Sequence, residues 1–161
     1  MSNQNPLKPP VGQVDVRGPR FAAWITTAVL ALVLIVSVFS VPAAAVLLAV
    51  QAVVFALGAA NGPRRSPYGR IYATLVAPRI GPAPEVEPIA PLRFAQLVGL
   101  IFAVLGVIGF AAGSTLAGAI FTGFALFAAF LNAAFGICLG CKIYPLAARF
   151  LPKAATSSPT A

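Results

Sequence analysis

The sequence predicts an all-α polytopic membrane protein with four transmembrane helices arranged as two helical hairpins. Three observations predict it. Hydrophobic residues make up 60% of the 161 residues and charged residues only 9%, too few to cover the exterior of a water-soluble domain. The apolar residues are gathered in two long runs, 21–63 and 94–141, that contain no Asp, Glu, Lys, Arg or His. All eleven Lys and Arg residues lie outside those runs.

The lead-in 1–20 is polar and carries Pro6, Pro9, Pro10, Gly12, Gly18 and Pro19, so it reads as a flexible tail with too little apolar surface to offset ordering entropy. The first uncharged run, as one helix at about 1.5 Å per residue, would be roughly twice the length of a hydrocarbon core. It must fold back. Pro42 is the natural break, because proline removes a helical hydrogen bond and disfavours helix at the residue before it. Spans at about 21–40 and 43–60 follow. The first span followed by Ala43-Ala44-Ala45 also has the look of a cleaved secretory signal, but its apolar stretch exceeds the roughly 7–15 residues of such signals.

The segment 61–93 is rich in proline and arginine and reads as a membrane-surface loop. A short interfacial helix over 68–76 fits between its prolines, with Tyr68, Ile71, Tyr72 and Leu75 on one side and Arg70 opposite. Glu85 and Glu87 are expected to pair with loop arginines. The second uncharged run turns at Gly113-Ser114-Thr115, giving spans at about 94–112 and 116–137. Gly58-x-x-x-Gly62 and Gly109-x-x-x-Gly113 are expected at close helix contacts. A C-tail, 145–161, completes the chain around a membrane domain of 21–144.

With four spans, the N-tail, the central loop and the C-tail share one side of the membrane, and the cations are all there, from Lys8 to Lys153. The positive-inside bias makes that side the cytoplasm and the membrane the plasma (inner) membrane, with both termini cytoplasmic. The net charge of +8 is what such topology and contact with anionic lipid require. Aromatic and basic residues are not interleaved as in nucleic-acid-binding modules, so no nucleic-acid partner is expected. Hydrolytic chemistry is disfavoured, since there is no histidine and the acids Asp15, Glu85 and Glu87 sit in proline-rich segments. The absence of ionisable residues from the spans argues against a proton-coupled transporter. The polar span residues Ser37, Gln51, Gln96, Thr122 and the Thr26-Thr27 pair read as interhelical hydrogen-bonding groups.

Reactive side chains meet in one stretch, Phe135-Gly136-Ile137-Cys138-Leu139-Gly140-Cys141-Lys142-Ile143-Tyr144, which holds both cysteines. On a helix continuing out of the last span they project from nearly one face; at a helix end loosened by Gly136 and Gly140 they approach closely enough for a disulfide. Three readings compete. The pair is a redox or sulfur-carrying dithiol with Cys138 and Cys141 as the catalytic thiols, half of a metal site completed by another chain, or small residues in helix packing. Lys142 favours a thiolate, whereas a helix C-terminus disfavours one. Asn132 and Tyr144 are supporting residues, Asn132 extending the Cys138 stripe through Phe135 on the same helix side. Arg64, Arg65, Arg70 and Arg79 would dock a partner or lipid. No cofactor or bound metal is read from the residues.

The segment from Leu131 to Tyr144, together with Asp15-Val16-Arg17-Gly18-Pro19-Arg20-Phe21-Ala22-Ala23 and Arg93-Phe94-Ala95-Gln96, resembles the actinobacterial membrane proteins called the domain of unknown function 4395 family. The resemblance runs roughly from Asp15 to Tyr144. It implies, by association only, a thioredoxin-like or sulfurtransferase partner, and so favours thiol–disulfide exchange or sulfur relay. The competing expectation is a non-catalytic membrane scaffold or assembly protein, with a homo-oligomer possible in either case.

Overall fold

The computed structural model describes residues 9–150; Lys8, Lys153 and the outer parts of the expected tails, 1–8 and 151–161, lie outside them. In chain order, a strand β1 (Gln13–Asp15) precedes α1 (Arg17–Phe39) and α2 (Val41–Asn61). The connecting segment carries α3 (Pro67–Ile71), a π-helical turn (Tyr72–Val76), α4 (Ala77–Ile80) and strand β2 (Val86–Pro88). Then come α5 (Ile89–Ala111), α6 (Thr115–Phe135) and α7 (Leu139–Phe150). The protein is a multi-pass membrane protein: α1, α2, α5 and α6, of 21 to 23 residues, are long and apolar enough to cross a bilayer. At about 1.5 Å per residue each is roughly 32–35 Å long, against a hydrocarbon core of about 30 Å.

The helices run past the uncharged runs at their cationic ends. α1 starts at Arg17 and α5 at Ile89, although Pro19 and Pro91 follow within three residues. The first turn of a helix has no partner for its N–H groups, so proline removes nothing there. Pro42 likewise sits second in α2. At the opposite end both turns are closed by serine: the Ser40 hydroxyl accepts from the Ala43 N–H at 3.3 Å, and that of Ser114 from the Ala117 N–H at 3.2 Å. Each satisfies one of the orphan donors of a helix start.

The four helices form a closed ring in which α1 packs on α2 and α6, and α5 packs on α2 and α6. Leu30, Val33, Ala44, Leu48, Phe55, Ala103 and Phe110 make the core. α5 and α6 approach at Gly109, where an added Cβ would lie 2.6 Å from the Gly118 nitrogen. Its expected companion Gly113 instead forms the turn, with φ 82° and nothing near it. The Gly58-x-x-x-Gly62 spacing divides similarly, Gly58 packing under Gln96 and Gly62 ending α2 at φ 85°. Thr122 is fully buried and donates to the Gly118 carbonyl at 2.7 Å. Trp24, Ile35, Val50, Ile101, Ile108 and Leu116 remain exposed, which is the apolar surface that lipid covers.

The lead-in and the central loop are built together, so residues from Pro9 onward are ordered where a flexible tail to Arg20 was expected. β1 pairs antiparallel with β2, Val14 opposite Glu87, and the Ile89 N–H donates to the Gly12 carbonyl at 3.0 Å. In the loop, Tyr72 is buried whereas Ile71 and Leu75 are exposed, so they do not share the expected face. Tyr68 turns inward and donates to Gln51 Oε1 at 2.7 Å.

Candidate functional site

α6 does not run on into the cysteines. Gly136 adopts the left-handed conformation (φ 68°), and its N–H donates to the Asn132 carbonyl at 3.1 Å while that of Ile137 donates to Leu131 at 3.2 Å. This is the bonding of a glycine helix stop. A new helix then begins. The Lys142 N–H donates to the Cys138 carbonyl at 3.1 Å, and the Cys141 N–H points at Cys138 Sγ at 3.2 Å, which places Cys138 at the N-cap of α7 and Cys141 at its third position. The two are joined by a disulfide, with Cα atoms 5.2 Å apart.

That placement reverses the electrostatic objection raised from the sequence. The pair stands at a helix N-terminus, whose partial positive charge stabilises a thiolate. It also dissolves the expected single stripe. Asn132 stays on α6, Phe135 is exposed against Phe130, and Cys141 and Tyr144 belong to α7. Lys142 is exposed. Tyr144 packs on Phe94 of α5 with ring centres 5.8 Å apart. Gly140, between the cysteines, meets α5 so closely that an added Cβ would lie 2.6 Å from both Cα and Cβ of Ala95. The dithiol loop is therefore clamped against α5.

Around it the polar groups form a cap. The Asp15 carboxylate accepts from the Arg17 backbone N–H at 3.0 Å, from its Nη2 at 2.8 Å and from the Tyr72 hydroxyl at 2.8 Å. Arg17 also donates to the carbonyls of Gly81 and Pro82, both at 3.0 Å. Burial pushes the Asp15 carboxyl up, but the hydrogen bonds from Arg17 and Tyr72 outweigh it and hold the group below its ordinary value. Burial and the bond to Asp15 push Tyr72 up to about 12. Among the described residues Asp15, not Glu85 or Glu87, makes the carboxylate–arginine ion pair; burial raises the Glu87 carboxyl. Arg64, Arg65, Arg70 and Arg79 are all exposed.

The sequence profile described as a domain of unknown function (DUF4395) matches residues 14–149. The chain belongs to the DUF4395 family. Neither curated proteins nor solved structures gave a match. The match encloses all four long helices and both cysteines of this DUF4395 protein.

The DUF4395 fold also holds a feature not foreseen from the sequence, a cleft of about 880 Å³ that reaches from the cap down between α1, α5 and α6. Cys138 and Gly140 stand on its wall, with Asn132 of α6 and Gln96 of α5 as carboxamides among mostly apolar neighbours. The signal lay in small residues spread over three helices, including Gly18, Ala22, Ala95, Gly99 and Ala128, which only the fold brings together.

Proposed function

We propose that Cys138 and Cys141 form a redox dithiol at the cytoplasmic face of the plasma membrane, exchanging a disulfide, or relaying sulfur, with a soluble thioredoxin-like or sulfurtransferase partner. The observation that carries the reading is the disulfide at the start of α7. A helix N-terminus lowers a thiol's pKa, and the N–H aimed at Cys138 Sγ makes Cys138 the attacking thiolate and Cys141 the resolving one. Sidedness supports it too. Nine cations, Arg17, Arg20, Arg64, Arg65, Arg70, Arg79, Arg93, Lys142 and Arg149, lie at the end of the bundle that carries the pair. By the positive-inside bias that end faces the cytosol, where a disulfide is more often a catalytic intermediate than a structural brace.

In this reading the four exposed loop arginines steer an acidic partner face to the thiols, and Lys142 adds local positive charge. Asn132 and Tyr144 position the loop, Asn132 through its carbonyl bond to Gly136 and Tyr144 through Phe94. The test is a trap: Cys141→Ser should accumulate a mixed disulfide at Cys138, and Cys138→Ser should not. A second reading, a scaffold whose cysteines only brace a helix end, is favoured by the tight Gly140–Ala95 contact. It predicts that neither variant captures a partner and that the double serine variant behaves as wild type.

A further inference from the structure

We infer that the cleft beside Cys138 binds a lipid-soluble quinone, which takes the electrons of the reduced pair and restores the Cys138–Cys141 disulfide. This rests on the redox reading above and names its second substrate. A dithiol that has reduced nothing but has itself been reduced by a partner must pass two electrons on, and Cys138 faces a cleft whose contents are decided by its walls. Those walls are mostly apolar at depth, with Phe102 of α5 and Phe124 and Phe127 of α6 beside the hydroxyl of Thr26 on α1. From Asn132 to Phe124 the cleft follows α6 for about 12 Å at 1.5 Å per residue. Phe124 and Phe127 are each more than half exposed, so it is an open cleft between membrane helices and not a sealed void. Its volume of about 880 Å³ falls in the range of small-molecule sites, about 300–1,000 Å³.

The chemistry selects the occupant. Oxidising two thiols releases two electrons and two protons together, so the acceptor must take both kinds in pairs and be apolar enough to enter from a bilayer. A quinone with an apolar tail meets both demands. The carboxamides of Gln96 and Asn132 line the cleft with Cys138, and an amide N–H donates to a carbonyl oxygen, which suits the ring oxygens. The step balances: both S–H bonds break, one S–S bond forms, the two electrons enter the quinone ring, and the two released protons convert its carbonyl oxygens to hydroxyls.

The test uses the full chain in lipid nanodiscs, reduced and freed of reductant, with decylubiquinone, whose fully substituted ring forms no thiol adduct. Loss of quinone absorbance and loss of free thiols are followed together, and reduction of the disulfide by soluble thioredoxin is measured separately. The wild type should consume one quinone per pair. Ala128→Phe, which occupies space the quinone would take, should slow this by about ten-fold or more, a loss of about 1.4 kcal/mol of binding, without changing reduction by thioredoxin. Ala22→Leu fills the α1 wall of the same cleft and serves if Ala128→Phe does not fold. If the thiols persist with quinone present while thioredoxin still reduces the pair, the cleft holds membrane acyl chains only and the inference falls, the exchange reading standing. Equal oxidation of wild type and both filled variants also overturns it. If quinone oxidises the pair but thioredoxin does not reduce it, the exchange reading falls instead.

Discussion

Gly140→Ala is the substitution through which the clamped position of the thiols is most open to attack. The new Cβ would sit 2.6 Å from the Ala95 Cα and Cβ, about 0.9 Å inside the roughly 3.5 Å at which carbon atoms pack best. Both are rooted in the α5 backbone, so α7 must move. Overpacking of this kind costs about 1–3 kcal/mol, and alanine returns about 1 kcal/mol of helix propensity relative to glycine. The net cost of up to about 2 kcal/mol corresponds to as much as roughly 30-fold in the balance between docked and undocked α7. The same change at Gly123 of α6 meets nothing within 4 Å and should be neutral or slightly stabilising. The assay is the rate at which dithiothreitol reduces the disulfide in detergent-purified protein, read beside thermal unfolding. Gly140→Ala should be reduced several-fold faster than wild type, and Gly123→Ala at the wild-type rate. Equal rates for all three proteins would refute the clamp.

Two further outcomes follow from buried polar groups. Tyr68→Phe removes the donor to Gln51 Oε1 from a side chain that is 1% exposed and whose Nε2 already has no partner among the described residues, which should cost about 1–3 kcal/mol. Adding Gln51→Leu should recover most of that loss in thermal unfolding, because both halves of the polar pair are then gone. At the cap, a carboxyl held below its ordinary value contributes stability that is present above that value, 3.8, and lost as pH falls through the lower folded one. Pepsin should therefore nick the 63–88 segment faster as pH drops below 3.8, with Asp15→Asn nicked readily across the whole acidic range.

The bundle was legible because it is a matter of composition: uncharged runs of twice the bilayer thickness have to fold back, and cations at three separated places fix an even number of crossings. The helix ends were less so. Pro42 does mark the break between α1 and α2, but Pro19 and Pro91, read as punctuating irregular segments, stand in first turns, where a missing N–H has no consequence. The continuous stripe from Asn132 to Tyr144 failed at Gly136. A glycine after a periodic run is a stop signal, and a restart at Leu139 turns the cysteine pair from a helix C-terminus into an N-terminus. Asp15 was legible as a charge but not as a partner of Tyr72, since the contact spans the whole first hairpin. The cleft could not be read at all, because its walls come from helices far apart in the chain and the alanines and glycines that leave room for it, such as Gly18, Ala22, Ala95, Gly99 and Ala128, are individually ordinary.

In the proposed function the thiols work from the cationic face of the membrane. A membrane-impermeant maleimide, applied after mild reduction to intact cells and to inside-out vesicles, reads which face they stand on. Labelling of Cys138 and Cys141 in the vesicles and not in the cells is the predicted result; labelling in intact cells would put the pair in the wrong compartment for a cytosolic partner and contradict the account.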